Sequence, residues 1–160
     1  MVNNVTNVVL AGLGGQGVIK ASDILADAVF RCGMDVKKAE IHGMSQRGGS
    51  VTSDVRFGAV VFSPMVPMGA ADYLLVLAAD QVENNKPNLK QGGILITPDM
   101  VDAGKLESAR SLNIALLGVL SAHLAIPLEK WKDAIAAALP EKVLEMNLRA
   151  FELGRSLVKQ

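Results

Sequence analysis

The chain has 160 residues, and 16 lysine and arginine side chains balance 16 aspartate and glutamate side chains, so the formal net charge is zero. Proteins that bind nucleic acid carry a basic excess or aromatic platforms, and here aromatic residues make up only 4% of the chain, which argues against that class. Half of the residues are hydrophobic and the mean hydropathy is +0.31, which excludes a disordered chain and suffices for the core of a single domain over residues 1–160.

The cysteine content and the apolar tracts exclude further classes of protein. The single cysteine, Cys32, cannot form a disulfide framework, a cysteine-rich zinc site or an iron–sulfur cluster, each of which needs two or more. No secretory signal pattern opens the sequence. The longest apolar tract, residues 112–126, is shorter than the roughly 20 residues that span a bilayer. We therefore expect a cytoplasmic protein that inserts no segment into a membrane.

Strand and helix patterns alternate along the first half of the chain. Strands are predicted at residues 5–11, 36–41 and 51–57, the last with period-two alternation and a hairpin extension at 60–62. A helix is predicted at residues 18–30, where apolar residues recur at steps of three and four. Residues 73–78 and 94–97 are continuous apolar runs, which are typical of strands covered on both faces.

The second half reads mainly as helix. Helices are predicted at residues 80–89, with a break near Pro87, and at 113–125, 128–138 and 141–158. Pro127 and Pro140 stand where they would start helices rather than interrupt them. The alternation predicts an α/β fold, a Rossmann-like three-layer domain with a mostly parallel sheet and a helical C-terminal segment.

A glycine-rich turn follows the first predicted strand. Gly12, Gly14 and Gly17 have the spacing G-x-G-x-x-G directly after a strand and at the opening of a helix. Glycines let the backbone turn tightly and approach a ligand, while free N–H groups at a helix N-terminus attract anionic oxygens. The turn therefore indicates an anion-binding loop, with a strand-to-helix crossover that binds nothing as the alternative.

A nucleotide site would need further residues. A dinucleotide fold places an acidic residue near the end of the second strand. Asp35 lies at the wrong end of that strand, Glu40 is nearer the right end, and Lys37 and Lys38 stand between them. Residues 12–17 are also similar to the glycine loop of adenylating enzymes. A stand-alone nucleotide-binding domain, NAD-dependent or adenylating, remains the alternative function.

A second polar loop, residues 43–49, follows the second strand. It sets Arg47 between glycines, beside Ser45 and Gln46. The five donors of an arginine suit a carboxylate, a phosphate or an acidic partner surface. At the carboxyl end of the second strand this loop would lie beside the first one, where α/β sheets bind ligands. A solvated surface turn is the alternative, and the adjacent His42 is a weaker candidate for an acid or base.

The two loops together carry a resemblance. Residues 9–18 (VLAGLGGQGV) and 40–51 (EIHGMSQRGGSV) resemble the gamma-type subunit of 2-oxoacid:ferredoxin oxidoreductases, most of all the small (beta) subunit of the indolepyruvate enzymes. Further matches at residues 62–64, 71–72, 126–127 and 147–154 extend the resemblance over residues 7–154. The chain is shorter than that subunit, chiefly around residues 99–112.

The resemblance implies an accessory subunit that is inactive alone. Such complexes oxidatively decarboxylate a 2-oxo acid on thiamine diphosphate, transfer the acyl group to coenzyme A and pass electrons through iron–sulfur clusters to ferredoxin. Thiamine diphosphate and the clusters are then held by a partner subunit, no cofactor is bound by this chain alone, and ferredoxin is met only indirectly. Coenzyme A, or the partner, is expected to contact both loops, formed by Gly12, Gly14, Gly15, Gln16, Gly17, Ser45, Gln46, Arg47, Gly48 and Gly49.

Overall fold

The computed structural model describes residues 4–43 and 49–159, which contain one five-stranded sheet. In chain order the strands are β1 (Thr6–Leu13), β2 (Asp35–His42), β3 (Ser50–Gly58), β4 (Ala71–Val76) and β5 (Leu89–Ile96). Across the sheet their order is β2-β3-β1-β4-β5. Strand β4 pairs in parallel with β1 and β5, and β3 lies antiparallel between β1 and β2. Four of these five strands therefore point in one direction, and β3 runs against them.

The predicted α/β fold with a mostly parallel sheet is confirmed in strand direction, but β3 makes the sheet mixed. The period-two alternation of residues 51–57 is the usual pattern of an antiparallel strand with one face more exposed. Its insertion separates β2 from β1 by a full strand. That the whole of residues 1–160 forms a single domain stays a prediction.

The helices are α1 (Val18–Phe30), α2 (Val82–Asn85), α3 (Leu112–Ser121), α4 (Leu128–Ala138) and α5 (Glu141–Ser156). Helices α1 and α4 have the predicted bounds, whereas α3 and α5 end a few residues earlier than predicted. Pro127 and Pro140 immediately precede α4 and α5, as expected from their fixed φ. None of the helices in the described ranges has the length and apolar character needed to cross a bilayer.

Two predicted elements are wrong. Residues 60–62 do not extend a hairpin, because the N–H of Val61 donates to the carboxylate of Asp35 and the chain leaves the sheet plane. The helix predicted at 80–89 is only one turn, α2, flanked by 3-10 turns at Ala79–Gln81 and Lys86–Asn88. Pro87 stands in the second of these turns, and β5 starts directly after it, earlier than predicted.

Side chains alternate between two faces of the sheet, and the two faces are covered differently. The first face, with Val8, Leu10 and Leu75, belongs to the large hydrophobic cluster that includes residues of α1, α3, α4 and α5. The second face, with Val9 and Leu74, forms a small cluster covered by Val66 of the β3–β4 connection and Val82 of α2. The predicted fold has three layers. The third layer, on the second face of the sheet, consists mainly of irregular chain, because α2 is too short to cover a sheet.

Candidate functional site

The first glycine loop closes on itself between β1 and α1. The N–H of Leu13 donates to Oε1 of Gln16 at 2.7 Å, and the N–H of Gln16 donates back to the carbonyl of Leu13 at 3.2 Å. Gly15 and Gly17 have φ values of 88° and 87°, which favour glycine over residues with a side chain. Gly17 is the residue that precedes the first turn of α1. Glutamine and glycines at these positions therefore fold a turn that leaves the N-terminus of α1 open.

The described end of the second predicted loop lies at the same edge of the sheet as the first loop. The N–H of Gly14 donates to the carbonyl of Gly49 at 2.8 Å, directly after Leu13 and Ser50 pair as the last residues of the β1–β3 ladder. His42, the last residue of β2, lines a cavity of about 380 Å³ with Gly14 and Gly15. Ser45, Gln46, Arg47 and Gly48 lie outside the described residues. The described end of the second loop, Gly49, is thus brought against the first loop.

A second cleft, of about 570 Å³, opens on the other side of the first loop. The beginning of α3 and the 3-10 turn before it, Ala109–Ser111, form its far wall. Asn113 is buried there and its side-chain amide donates to the carbonyl of Gly17 at 3.2 Å. This hydrogen bond ties the loop to α3 across 96 residues of sequence.

Arg110 lines this cleft with an exposed side chain. Its backbone N–H donates to the hydroxyl of Ser108 at 3.2 Å, and no carboxylate in the described ranges forms an ion pair with its guanidinium. Lys20 also lines the cleft, but its Nζ donates to the carbonyl of Ala138 at 3.2 Å. The cleft therefore combines loop main chain, a buried amide and a guanidinium that has no ion-pair partner among the described residues, a set suited to an anionic ligand.

Sequence reasoning missed both Arg110 and Asn113. Asn113 carried a usable signal, since it is a polar residue at the very start of the most apolar tract of the chain. Arg110 carried none, because only the fold brings residues so distant in sequence to the glycine loop.

The arrangement argues against the dinucleotide alternative. In that fold the strand after the glycine-loop helix lies next to β1, so that its terminal acid reaches the ribose. Here β3 intervenes, which places the end of β2 two strand spacings, roughly 10 Å, from β1. Glu40 is in addition paired with Lys38 at 2.9 Å, and Asp35 lies 3.5 Å from Lys37. Burial works against the charged form of Lys38, but its ion pairs with Asp23 and Glu40 outweigh that and raise its pKa.

No group of three or more histidine, cysteine, aspartate or glutamate side chains within residues 4–43 and 49–159 is arranged to hold a metal ion. Cys32 lies just after α1, at the opposite end of that helix from the first glycine loop. The described residues thus form an α/β fold with a cleft at its glycine-rich edge.

Comparison with known proteins identifies the family. The family model for pyruvate ferredoxin/flavodoxin oxidoreductases matches residues 7–103 and 100–157, nearly the whole chain. The indolepyruvate oxidoreductase subunit IorB of Thermococcus kodakarensis is 33% identical over 194 aligned positions, covering 96% of each chain. The same subunit of Pyrococcus horikoshii is 31% identical with equal coverage. The chain belongs to the pyruvate ferredoxin/flavodoxin oxidoreductase family and is a small subunit of the 2-oxoacid:ferredoxin oxidoreductase type, which confirms the resemblance.

Solved structures confirm the fold. The gamma subunit of the keto/oxoacid ferredoxin oxidoreductase from Geobacter sulfurreducens superposes with a TM-score of 0.80 at 25% identity, covering 95% of this chain and 97% of that one. A 2-oxoglutarate:ferredoxin oxidoreductase from Magnetococcus marinus has a TM-score of 0.82 at 24% identity, with 98% of this chain matching 31% of that chain. The two family matches meet at residues 100–103, inside the segment where the resemblance predicts a shorter chain.

Proposed function

We propose that this chain is the small subunit of an indolepyruvate:ferredoxin oxidoreductase, acting on indolepyruvate or another aryl pyruvate. The main support is the alignment with the IorB subunits of Thermococcus and Pyrococcus, which covers 96% of this chain and 96% of each relative. The complex would release CO₂ from the 2-oxo acid, transfer the acyl group to coenzyme A and pass two electrons to ferredoxin. This chain turns over nothing alone in that scheme.

The cofactors of that reaction would belong to a larger partner subunit. An iron–sulfur cluster needs several thiolate ligands, and the sequence has one cysteine, so the residues present do not fit a cluster. Thiamine diphosphate supplies the carbanion chemistry of decarboxylation when bound. The role of this chain would be to supply the shape and the charged groups of the surface that faces the partner's reaction site.

We further propose that the two glycine loops contact coenzyme A, whose phosphate groups are its anionic part. Gly12, Gly14, Gly15, Gln16 and Gly17 would form the first wall of the site. The N–H groups of Gly15 and Gly17 would face the phosphate at the start of α1, a favourable place for an anion, while Gly14 and Gln16, whose N–H groups donate to Gly49 and Leu13, would hold the loop in shape. Ser45, Gln46, Arg47, Gly48 and Gly49 would close the site from the second strand. Arg110 adds a guanidinium to the same edge. The Magnetococcus marinus enzyme of similar fold was solved with coenzyme A bound, which supports this ligand class.

Replacing Arg110 with alanine is expected to raise the KM for coenzyme A in the assembled complex by about tenfold, with little change in the KM for the 2-oxo acid. The reason is the loss of one charge-assisted hydrogen bond, worth roughly 1.5 kcal/mol. Arg31→Ala is the matched control, because Arg31 pairs with Asp27 at the far end of α1. Equal KM values for Arg110→Ala and wild type would show that this cleft does not hold coenzyme A.

Reconstitution with the larger subunit tests the proposed reaction. The expected result is indolepyruvate-dependent ferredoxin reduction that requires both chains and coenzyme A, with lower kcat/KM for pyruvate and for 2-oxoglutarate. A complex that prefers 2-oxoglutarate or a branched 2-oxo acid would contradict the substrate assignment. A chain that reduces a dye with NAD as cosubstrate, without any partner, would contradict the subunit role.

A further inference from the structure

The connection between β3 and β4 is unusually apolar. Residues 58–71 contain no charged side chain, although charged residues make up 20% of the chain. Phe62, Met65 and Met68 in this connection are 86%, 53% and 75% exposed. We call these three side chains the apolar patch. Exposed phenylalanine and methionine close together in sequence are typical of surfaces that bind proteins.

Polar side chains of the sheet hold this connection in place. They contact its main chain along its length: Asp35 accepts from the N–H of Val61 at 2.8 Å, Arg56 donates to the carbonyl of Ser63 at 2.8 Å, Asp54 accepts from the N–H of Val66 at 2.9 Å, and Asn7 donates to the carbonyl of Ala70 at 3.2 Å. These anchors lie on three different strands, so the connection is fixed to the sheet surface at four points.

One of these anchors carries a cost of its own. Asp54 is only 6% exposed, and burial raises its pKa, with the Val66 N–H and the Arg56 charge acting in the opposite direction. Burying a carboxylate in part costs free energy, because the charged group loses hydration. We take the four hydrogen bonds to hold the connection in one defined conformation, and in this conformation the apolar patch is exposed to solvent.

The second face of the sheet is also the face that lacks a helical layer. Val66 from the connection packs onto the small cluster around Val9 and Leu74, while α1, α3, α4 and α5 are part of the cluster on the opposite face. The apolar patch thus lies on the side of the molecule left without long helices.

Relatives show what is attached to this fold elsewhere in the family. The ketoisovalerate oxidoreductase subunit VorA of Methanothermobacter thermautotrophicus aligns with 94% of this chain over only 36% of its own length. In the Magnetococcus marinus enzyme this fold makes up 31% of the matching chain. In both cases further chain is joined covalently to the domain. A small subunit of the present kind must bind the corresponding partner through its surface.

We infer that the apolar patch, presented by residues 58–71 on the second face of the sheet, docks the larger subunit of the complex through an uncharged apolar surface of that subunit. This inference rests on the proposed function. A stable interface needs roughly 800 Å² from each partner with a desolvated apolar centre. The patch supplies such a centre, because no charge within the connection has to be desolvated when the partner binds.

The test compares two sets of serine substitutions in the full chain. The patch variant carries Phe62→Ser, Met65→Ser and Met68→Ser. The control is Phe30→Ser, because Phe30 is 68% exposed at the end of α1, on the opposite side of the sheet. Binding to the purified larger subunit is measured by titration, and the molar mass of the small subunit alone is measured by light scattering. Thermal unfolding establishes that each variant is folded, and Phe62→Ala alone provides a milder second variant.

The patch variant is expected to bind the larger subunit about 100-fold more weakly than wild type, while the control binds normally. Equal binding of patch variant and wild type would overturn the inference and leave the proposed function intact. A wild-type chain that binds no larger subunit would overturn both. Should the patch variant only convert a wild-type dimer into a monomer and keep its affinity for the larger subunit, the occupant would be a second copy of this chain, and the inference would be wrong.

Discussion

Replacing Gly154 with alanine is expected to lower the free energy of unfolding by about 3 kcal/mol, at the upper end of overpacking effects. Gly154 of α5 and Gly118 of α3 lie where these two helices touch. A methyl carbon on Gly154 would overlap the carbonyl oxygen of Ala115, and one on Gly118 would overlap the carbonyl oxygen of Phe151. Backbone atoms cannot rotate away as a side chain can. The helices must therefore separate, and the contacts of buried Phe151 are loosened.

Urea denaturation of the isolated chain measures this effect. Alanine has the higher intrinsic helix propensity by roughly 1 kcal/mol, so propensity alone predicts the opposite sign. Glu145→Ala is the control on α5. The Glu145 side chain is 89% exposed, and its ion pair with Arg149 is long at 3.9 Å. An unfolding free energy for Gly154→Ala equal to or above that of wild type would show that α3 and α5 are not packed this closely.

Gly17→Ala is expected to cost about 3 kcal/mol of stability, against about 1 kcal/mol for Gly15→Ala. Both residues have the same left-handed conformation, with φ values of 87° and 88°, so both variants carry the same backbone strain. The surroundings differ. A methyl carbon at Gly15 would have no neighbour within 4 Å, whereas one at Gly17 would overlap the side-chain amide of Asn113. Asn113 would then lose its hydrogen bond to the loop while remaining buried.

The difference between these two variants isolates the contact between the loop and α3. Denaturation of the Gly17→Ala and Gly15→Ala variants measures their stability. Titration of the complexes reconstituted from each variant with coenzyme A then measures the ligand affinity. Because Asn113 and Arg110 line one cleft, the Gly17→Ala complex should also have the weaker affinity for coenzyme A. Identical stabilities for the two variants would contradict the placement of Asn113 against Gly17.

Local sequence patterns predicted the local structure well. The three- and four-residue steps of residues 18–30 and the prolines at 127 and 140 placed helix bounds correctly, because periodicity and a fixed φ act within a few residues. The glycine loop was likewise predictable, since its positive φ values restrict the residues that can form it. The segment at 80–89 was misassigned because, apart from Pro87, it has only two apolar side chains, Val82 and Leu89, which are too few to show a period.

Long-range pairing could not be predicted in the same way. Nothing in residues 51–57 specifies that this strand pairs with β1 on one side and β2 on the other, yet this pairing decides where Glu40 lies. The α3–α5 contact had a signal, namely Gly118 and Gly154 inside helices, but no local rule says which backbone each glycine faces. The cleft beside Arg110 joins the glycine loop to residues 109–113, and no local pattern predicts that contact.

Purification of the tagged chain from its native host shows whether it is a subunit of a 2-oxoacid oxidoreductase complex. We predict a co-purifying larger subunit with iron–sulfur absorbance and bound thiamine diphosphate, and a preparation that reduces ferredoxin when indolepyruvate and coenzyme A are added. A colourless chain without a partner, stabilised against unfolding by NAD or ATP by about 2.7 kcal/mol at 100 times the dissociation constant, would contradict the subunit role.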